Sequence, residues 1–164
     1  MCYQVDVSTD TPIIETTSFP LSVAGDEITA AQLHGILRLR VDVFVVEQDC
    51  AYHEIDGRDL LPGTRHLWIG GSVAVDSYLR VLQDAGGTFR IGRVCTAVRS
   101  RGKGLAGRLM ETALAGIGDA PCVLDAQTYA KDFYAKYGFV VEGDEFLEDG
   151  IPHLTMWRRE APRS

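Results

Sequence analysis

The sequence predicts a single α/β (α+β) domain built on a mixed, mostly antiparallel sheet of about seven strands with helices packed over it. Three observations carry that expectation. The 164 residues suffice for one hydrophobic core, whereas two would leave each half unusually small. Three β-rich segments, His66 to Ile69, Val73 to Leu82 and Thr88 to Val98, follow one another with glycine turns at Gly70-Gly71 and Gly86-Gly87, which suits an antiparallel meander. Beyond them the pattern alternates between helix and strand, so the sheet must be mixed and covered.

In chain order, residues 1–12 are polar and threonine-rich and read as a tail, 13–159 as the domain and 160–164 as a second tail. Ile13 to Pro20 is expected as an edge strand. Thr29-Ala-Ala-Gln32 has the form of a capping box, in which side chain and backbone satisfy each other's exposed N–H groups. Leu33, Ile36, Leu37, Val41 and Phe44 then recur at helical spacing and predict a helix from about Thr29 to Val45. Cys50 to Gly63, punctuated by Asp56-Gly57 and Pro62-Gly63, reads as a long polar loop. After the meander come a helix over Leu105 to Ile117, a strand over Cys122 to Ala126 and a helix over Tyr129 to Tyr137. Two strands, Phe139 to Leu147 and Pro152 to Trp157, close the chain around Asp149-Gly150.

Composition narrows the function. No apolar run approaches the roughly 20 residues that cross a bilayer, and Asp6 and Asp10 stand where a leader would be basic, so the protein is expected in the cytoplasm with no membrane partner. Sixteen basic against twenty-three acidic side chains give a net charge of -7, which opposes nucleic acid and suits a cationic molecule or an exposed amine. Cys2, Cys50, Cys95 and Cys122 form no C-x-x-C pair, so they read as buried thiols, with neither zinc nor disulfides. His66 and His153 lack a third matched ligand and read as structural histidines, with no metal expected. Arg40, Arg80 and Arg93 are expected to be ion-paired with Asp56 or Asp59, since an isolated buried guanidinium is costly.

Arg101-Gly-Lys-Gly-Leu-Ala-Gly107 joins a predicted strand to a predicted helix. Such a loop presents bare amides at the positive end of a helix dipole, where phosphate oxygens bind. Gly102-x-Gly104-x-x-Gly107 also satisfies the dinucleotide fingerprint of an oxidoreductase, with Asp125 at a ribose-binding distance. That motif, however, opens a Rossmann domain on its first strand, and only 39 residues follow Asp125.

At these residues the chain resembles a known family. Arg101-x-x-Gly104-x-Ala106 is similar to the phosphate loop of the GNAT N-acetyltransferase superfamily, and Ala130-x-x-x-Tyr134-x-x-x-Gly138-Phe139 to its second motif. Arg40-x-x-Val43-Phe44-Val-Val-Glu47-Gln48, Asp56-Gly-x-Asp59-Leu60, Ile91-Gly-Arg-Val94 and Glu148-Asp-Gly-Ile-Pro-His153 resemble its ElaA-like branch. The resemblance implies a GNAT-like fold with about four helices flanking the sheet. It also implies transfer of an acetyl group from acetyl-coenzyme A to an amine, on a small molecule or a protein. Val94, Cys95 and Thr96 would offer backbone groups to the pantetheine arm and thioester, and Gln127 would reach the same arm. Arg101, Gly102, Lys103, Gly104, Leu105, Ala106 and Gly107 would hold the pyrophosphate.

The chemistry requires a neutral amine and a leaving thiolate that gains a proton. Ala130, Phe133, Tyr134 and Tyr137 form a stripe at helical spacing that by itself reads as core. The resemblance assigns Tyr134 as general acid and leaves Phe133 and Tyr137 as packing. No carboxylate lies between Arg90 and Val98, and Cys122 stands where some members of the family it resembles carry a glutamate on the fifth strand. Glu47, an acid at an unfavourable helix C-terminus, is therefore the candidate base, with Glu148 and His153 as candidate substrate contacts. A coenzyme A-binding regulatory module without efficient catalysis remains the alternative in another class, and the state is a monomer or homodimer.

Overall fold

The structure, a computed structural model, describes residues 17–159. Both expected tails lie outside the described residues. Among the described residues eight strands form one sheet, β1 (Leu21–Ala24), β2 (Thr64–Gly70), β3 (Val75–Gln83), β4 (Phe89–Thr96), β5 (Cys122–Gln127), β6 (Val140–Val141), β7 (Phe146–Glu148) and β8 (Ile151–Arg158). Their order is β1-β2-β3-β4-β5-β8-β6, and β7 pairs with β8. All pairings are antiparallel except β4 with β5. That sheet is incompatible with a doubly wound dinucleotide-binding domain, which needs a parallel one.

Three α-helices are present among the described residues, one fewer than expected: α1 (Ala30–Val41), α2 (Leu105–Ile117) and α3 (Lys131–Ala135). At the start of α1 the capping box forms, with the Gln32 N–H donating to Thr29 Oγ1 at 3.3 Å and the Thr29 N–H to Gln32 Oε1 at 2.9 Å. The helical path then widens into a π-helical turn, Asp42–Glu47, in which the Gln48 N–H reaches back to the Val43 carbonyl and Cys50 to Val45. It ends beyond the expected Val45. The Tyr129 to Tyr137 helix is shorter than expected, a 3-10 turn (Thr128–Ala130) leading into α3.

Two other strand boundaries need correction. The edge strand begins at Leu21, after Pro20; Ile13 to Thr16 lie outside the described residues, and 17–20 are not strand. A proline has no N–H for a ladder and sits naturally at a strand's margin. Phe139 to Leu147 is two short strands, because the polar stretch Glu142-Gly-Asp-Glu145, with Gly143 at φ 89, interrupts the ladder.

The pleat sends alternate residues of the central strands into two cores. Leu67, Leu79, Val81, Ile91 and Leu124 face α2, which contributes Leu109, Met110 and Ala113. On the opposite face Trp68 and Tyr78, directly paired across β2 and β3, pack with Ile36, Leu39 and Val43 of the α1 path. Gly35 lets α1 approach the turn after β2: a Cβ there would lie 2.1 Å from the Ser72 carbonyl oxygen. Both faces of the meander are thus covered.

Candidate active site

The parallel pair positions the site. Strands β4 and β5 pair only at Phe89 with Cys122 and Arg90 with Val123, then splay apart. On its other side, β4 carries a bulge: Gly92 and Cys95 oppose Arg80 and Tyr78, so Arg93 and Val94 together face Leu79. Arg93 adopts φ 57, a left-handed conformation rare outside glycine, and Val94 is left without a strand partner on either side. A cleft of about 950 Å³ opens at this point.

Val94, Cys95 and Thr96 line it from β4 and Gln127 from β5. Arg101 and Ala106 contribute from the glycine loop, Glu47 from the π-helical turn, Tyr134 from α3, and Glu148 and His153 from the β7-β8 hairpin. These ten expected site residues are therefore brought together. Gly102, Lys103, Gly104, Leu105 and Gly107 belong to the adjoining loop and helix start. Gly102 (φ 74) and Gly104 (φ 70, the N-cap of α2) take conformations that suit glycine, and side chains added there would meet nothing within 4 Å. The space beside these two glycines is therefore open at the start of α2. Gly107 has a different requirement, since a Cβ there would lie 2.7 Å from the Tyr137 hydroxyl, and the side chain of Leu105 packs on the core.

Arg101 is held on three sides. Its Nε donates to the Thr96 carbonyl at 3.0 Å, and its two Nη atoms donate to the Glu47 carboxylate at 2.7 Å each. This explains an acid at a helix end, and the hydrogen bond from Arg101 pulls the Glu47 pKa below its ordinary value. In this arrangement Glu47 is a weakened proton acceptor. Next to it, Gln48 exchanges side-chain hydrogen bonds with Gln127, at 3.1 and 3.2 Å.

Tyr134 is buried against Phe133 and Phe139, both edge-on. Its hydroxyl has no hydrogen-bond partner among the described residues, and burial raises its pKa, so the phenol keeps its proton. His153 Nδ1 lies 2.8 Å from the Ile151 carbonyl and must be the donor there, which leaves Nε2 as an acceptor when the ring is neutral, 3.8 Å from Glu148.

Beside the cleft lies a charged layer. Arg40 pairs with Glu54 and, at 2.6 Å, with Asp59; Arg80 pairs with Asp56 at 2.5 Å and Asp59 at 2.9 Å; Arg93 reaches Glu54 at 2.9 Å. Burial opposes ionisation of Asp56, but the hydrogen bond and charge of Arg80 hold its carboxyl well below the usual range. Tyr52 donates to Glu54, and burial together with that carboxylate raises its pKa. Sequence reasoning supplied the three arginines, Asp56 and Asp59, and missed Glu54. The available signal was arithmetic: three guanidinium groups need three acids, and the 50–63 loop carries Glu54, Asp56 and Asp59. It also missed Gln48 and Tyr129, an exposed ring at the cleft. Asp125 is engaged by Arg90 and Thr155.

Cys50, Cys95 and Cys122 are buried free thiols. Among the described residues, no group of His, Cys, Asp and Glu is arranged to hold a metal ion, and no helix is long and apolar enough to cross a membrane.

Solved structures share this architecture. An acyl-CoA N-acyltransferase from Pseudomonas aeruginosa superposes with a TM-score of 0.79 at 39% identity, covering 85% of this chain and 98% of that one. Escherichia coli ElaA superposes with a TM-score of 0.79 at 34% identity, over 85% and 97%. The splayed sheet and its cleft thus define an acyl-CoA-dependent acyltransferase fold. Residues 38–159 match the Acetyltransferase (GNAT) domain family. A UPF0039 protein of Mycobacterium tuberculosis is 52% identical over 138 residues, covering 80% of this chain and 87% of that protein. ElaA of Escherichia coli is 38% identical over 138 residues, 80% and 90% of the two chains. The chain belongs to the GNAT acetyltransferase family, among its ElaA and UPF0039 members.

Proposed function

We propose that this protein transfers an acetyl group from acetyl-coenzyme A to a primary amine by direct attack in a ternary complex. The observation that carries this reading is the splay of β4 from β5 beside a glycine loop at a helix start. Val94 without a ladder partner, and Gly102 and Gly104 with open space before them, fit a pantetheine arm and a diphosphate. Acetyl-coenzyme A, when bound, supplies an acyl group activated as a thioester.

The chain's own residues do the rest. Backbone groups of Val94, Cys95 and Thr96 hold the pantetheine arm, assisted by the Gln127 amide, while Arg101, Lys103 and the loop amides from Gly102 to Gly107 hold the phosphates. The unpaired strand N–H near Val94 stabilises negative charge on the thioester oxygen. Tyr134, protonated and lining the cleft, gives its proton to the departing sulfur. The amine's proton goes to a base, Glu47 once Arg101 has turned to phosphate, while Glu148 and His153 contact the substrate. One proton leaves nitrogen for Glu47 and one reaches sulfur from Tyr134, and the starting state returns when Glu47 releases its proton to solvent and Tyr134 takes one up from it.

The test is thermal unfolding followed by a thiol-release assay over a panel of amines. Acetyl-coenzyme A at about 100 times its dissociation constant should stabilise the fold by roughly 2.7 kcal/mol, and nicotinamide dinucleotides should not. Absence of any shift at millimolar acetyl-coenzyme A overturns the reading. Binding without thiol release from any amine leaves a coenzyme A-binding regulatory module.

A further inference from the structure

Two consecutive residues at the end of the π-helical turn hold the two arms of the cleft. Glu47 receives both Nη donors of Arg101, which stands beyond the end of β4. Gln48 exchanges two amide hydrogen bonds with Gln127, the last residue of β5. Successive side chains on a helical path diverge by roughly a quarter turn, so neighbours in sequence can face opposite arms. Through this turn the protein bridges a gap that the ladder leaves open after Arg90 and Val123.

Arg101 has all three of its nitrogens engaged within the protein, and both polar atoms of the Gln127 amide are engaged with Gln48. Under the proposed function these same two side chains are coenzyme contacts, and the inference rests on that reading. We propose that Glu47 and Gln48 form a clasp that ties the two arms of the coenzyme cleft to each other and that coenzyme A opens by taking Arg101 and Gln127 as its own partners. The ties are weak enough to open. The Glu47 and Arg101 side chains are 39% and 43% exposed, the regime in which an ion pair contributes little, and the amide pair is only part-buried. Opening also couples the two halves of the site. Val43 and Phe44, on the same turn, line the cleft as well, so whatever the coenzyme does to residues 47 and 48 is felt where an acceptor would lie.

The clasp makes a prediction opposite in sign to a supporting role: breaking a tie that the ligand must otherwise break should strengthen binding. Coenzyme A is titrated calorimetrically into the full chain, wild type, Gln48→Ala, Glu47→Gln and the double variant, each checked for folding by thermal melt. Each single change should tighten binding about two- to fivefold, and the double variant more than either. The gain in Glu47→Gln should shrink as salt is added, whereas that in Gln48→Ala should not. Removing a negative charge near a diphosphate would tighten binding without any clasp, so the neutral Gln48→Ala variant decides. If it binds coenzyme A as wild type does, or more weakly, the clasp is overturned even where Glu47→Gln tightens. In wild type, the side-chain amide resonances of Gln48 and Gln127 should both shift at saturating coenzyme A, and an unmoved Gln48 signal overturns the proposal without any variant. Failure of the folded wild type to bind coenzyme A overturns both the clasp and the proposed function, a result distinct from normal binding with an indifferent Gln48→Ala.

Discussion

His66 Nδ1 lies 2.8 Å from the Tyr78 hydroxyl, and its Nε2 lies 2.8 Å from the Asp59 carbonyl. The Asp59 carbonyl can only accept, so Nε2 carries the proton and Nδ1 accepts from the tyrosine. A neutral ring satisfies both contacts, and a second proton on Nδ1 would displace the Tyr78 donor. Burial accordingly lowers the His66 pKa below its ordinary value.

The consequence is an acid-sensitive core. Near pH 6.5 and below, the unfolded chain takes up a proton at this histidine that the folded chain does not, so stability falls as pH drops through 6.5. The slope from this group approaches about 1.4 kcal/mol per pH unit at most. Urea unfolding at pH 7.5 and 5.5 should show the loss in wild type, and His66→Gln, whatever its absolute stability, should flatten the dependence. An identical pH dependence in both proteins would remove His66 as its source.

Gly107→Ala should act through Tyr137, whose hydroxyl occupies the space a Cβ needs. Because that oxygen ends a movable side chain, the expected loss is about 1 kcal/mol. The double variant Gly107→Ala with Tyr137→Phe should recover most of it. Measured by chemical denaturation, a loss unrelieved by Tyr137→Phe would place the strain elsewhere.

The parts of this site carried by local pattern were legible in the sequence. The Arg101 to Gly107 loop stands between a β-rich run and an apolar helical stripe, and Tyr134 lies at fixed spacing from Ala130 and Gly138. The capping box at Thr29 and the α2 boundaries were readable for the same reason. The missing Glu142 to Glu145 break was also readable, as four polar or glycine residues in a row. What pairs with the loop was not, because the Glu47 to Arg101 contact spans 54 residues and the Gln48 to Gln127 contact 79. Contacts at that range follow from the splay of two strands, which no local periodicity encodes. The π-helical turn was hidden too, since its residues Val43 to Val46 extend the apolar α1 stripe without any break signal.

Glu54→Gln should be the most destabilising conservative change in the charged layer. The carboxylate serves Arg40, which is fully buried, and Arg93, and it also accepts from Tyr52. An amide can replace one acceptor but cannot neutralise two guanidinium groups, and breaking a buried pair from one side typically costs about 3 to 5 kcal/mol. Denaturant unfolding should show a loss in that range, well above that of Glu142→Gln, whose partner Arg159 forms a surface pair. Equal losses for the two variants would mean that solvent reaches the layer freely.

Tyr134→Phe separates the hydroxyl from the ring. The ring packs edge-on against Phe133 and Phe139 and is kept by the substitution, while the hydroxyl is bonded to no described protein group. Melting temperature and coenzyme A affinity should therefore change little. If the phenol protonates the departing thiolate, turnover should fall by about 10- to 1000-fold. Stopped-flow and steady-state thiol release with one amine would measure this, with affinity followed separately by calorimetry. A variant with full turnover but reduced stability would assign Tyr134 to packing, and the thiolate would then take its proton from water or from the amine itself. A fall in turnover at unchanged affinity and stability assigns the hydroxyl to the chemical step, since neither packing nor coenzyme binding then accounts for the loss.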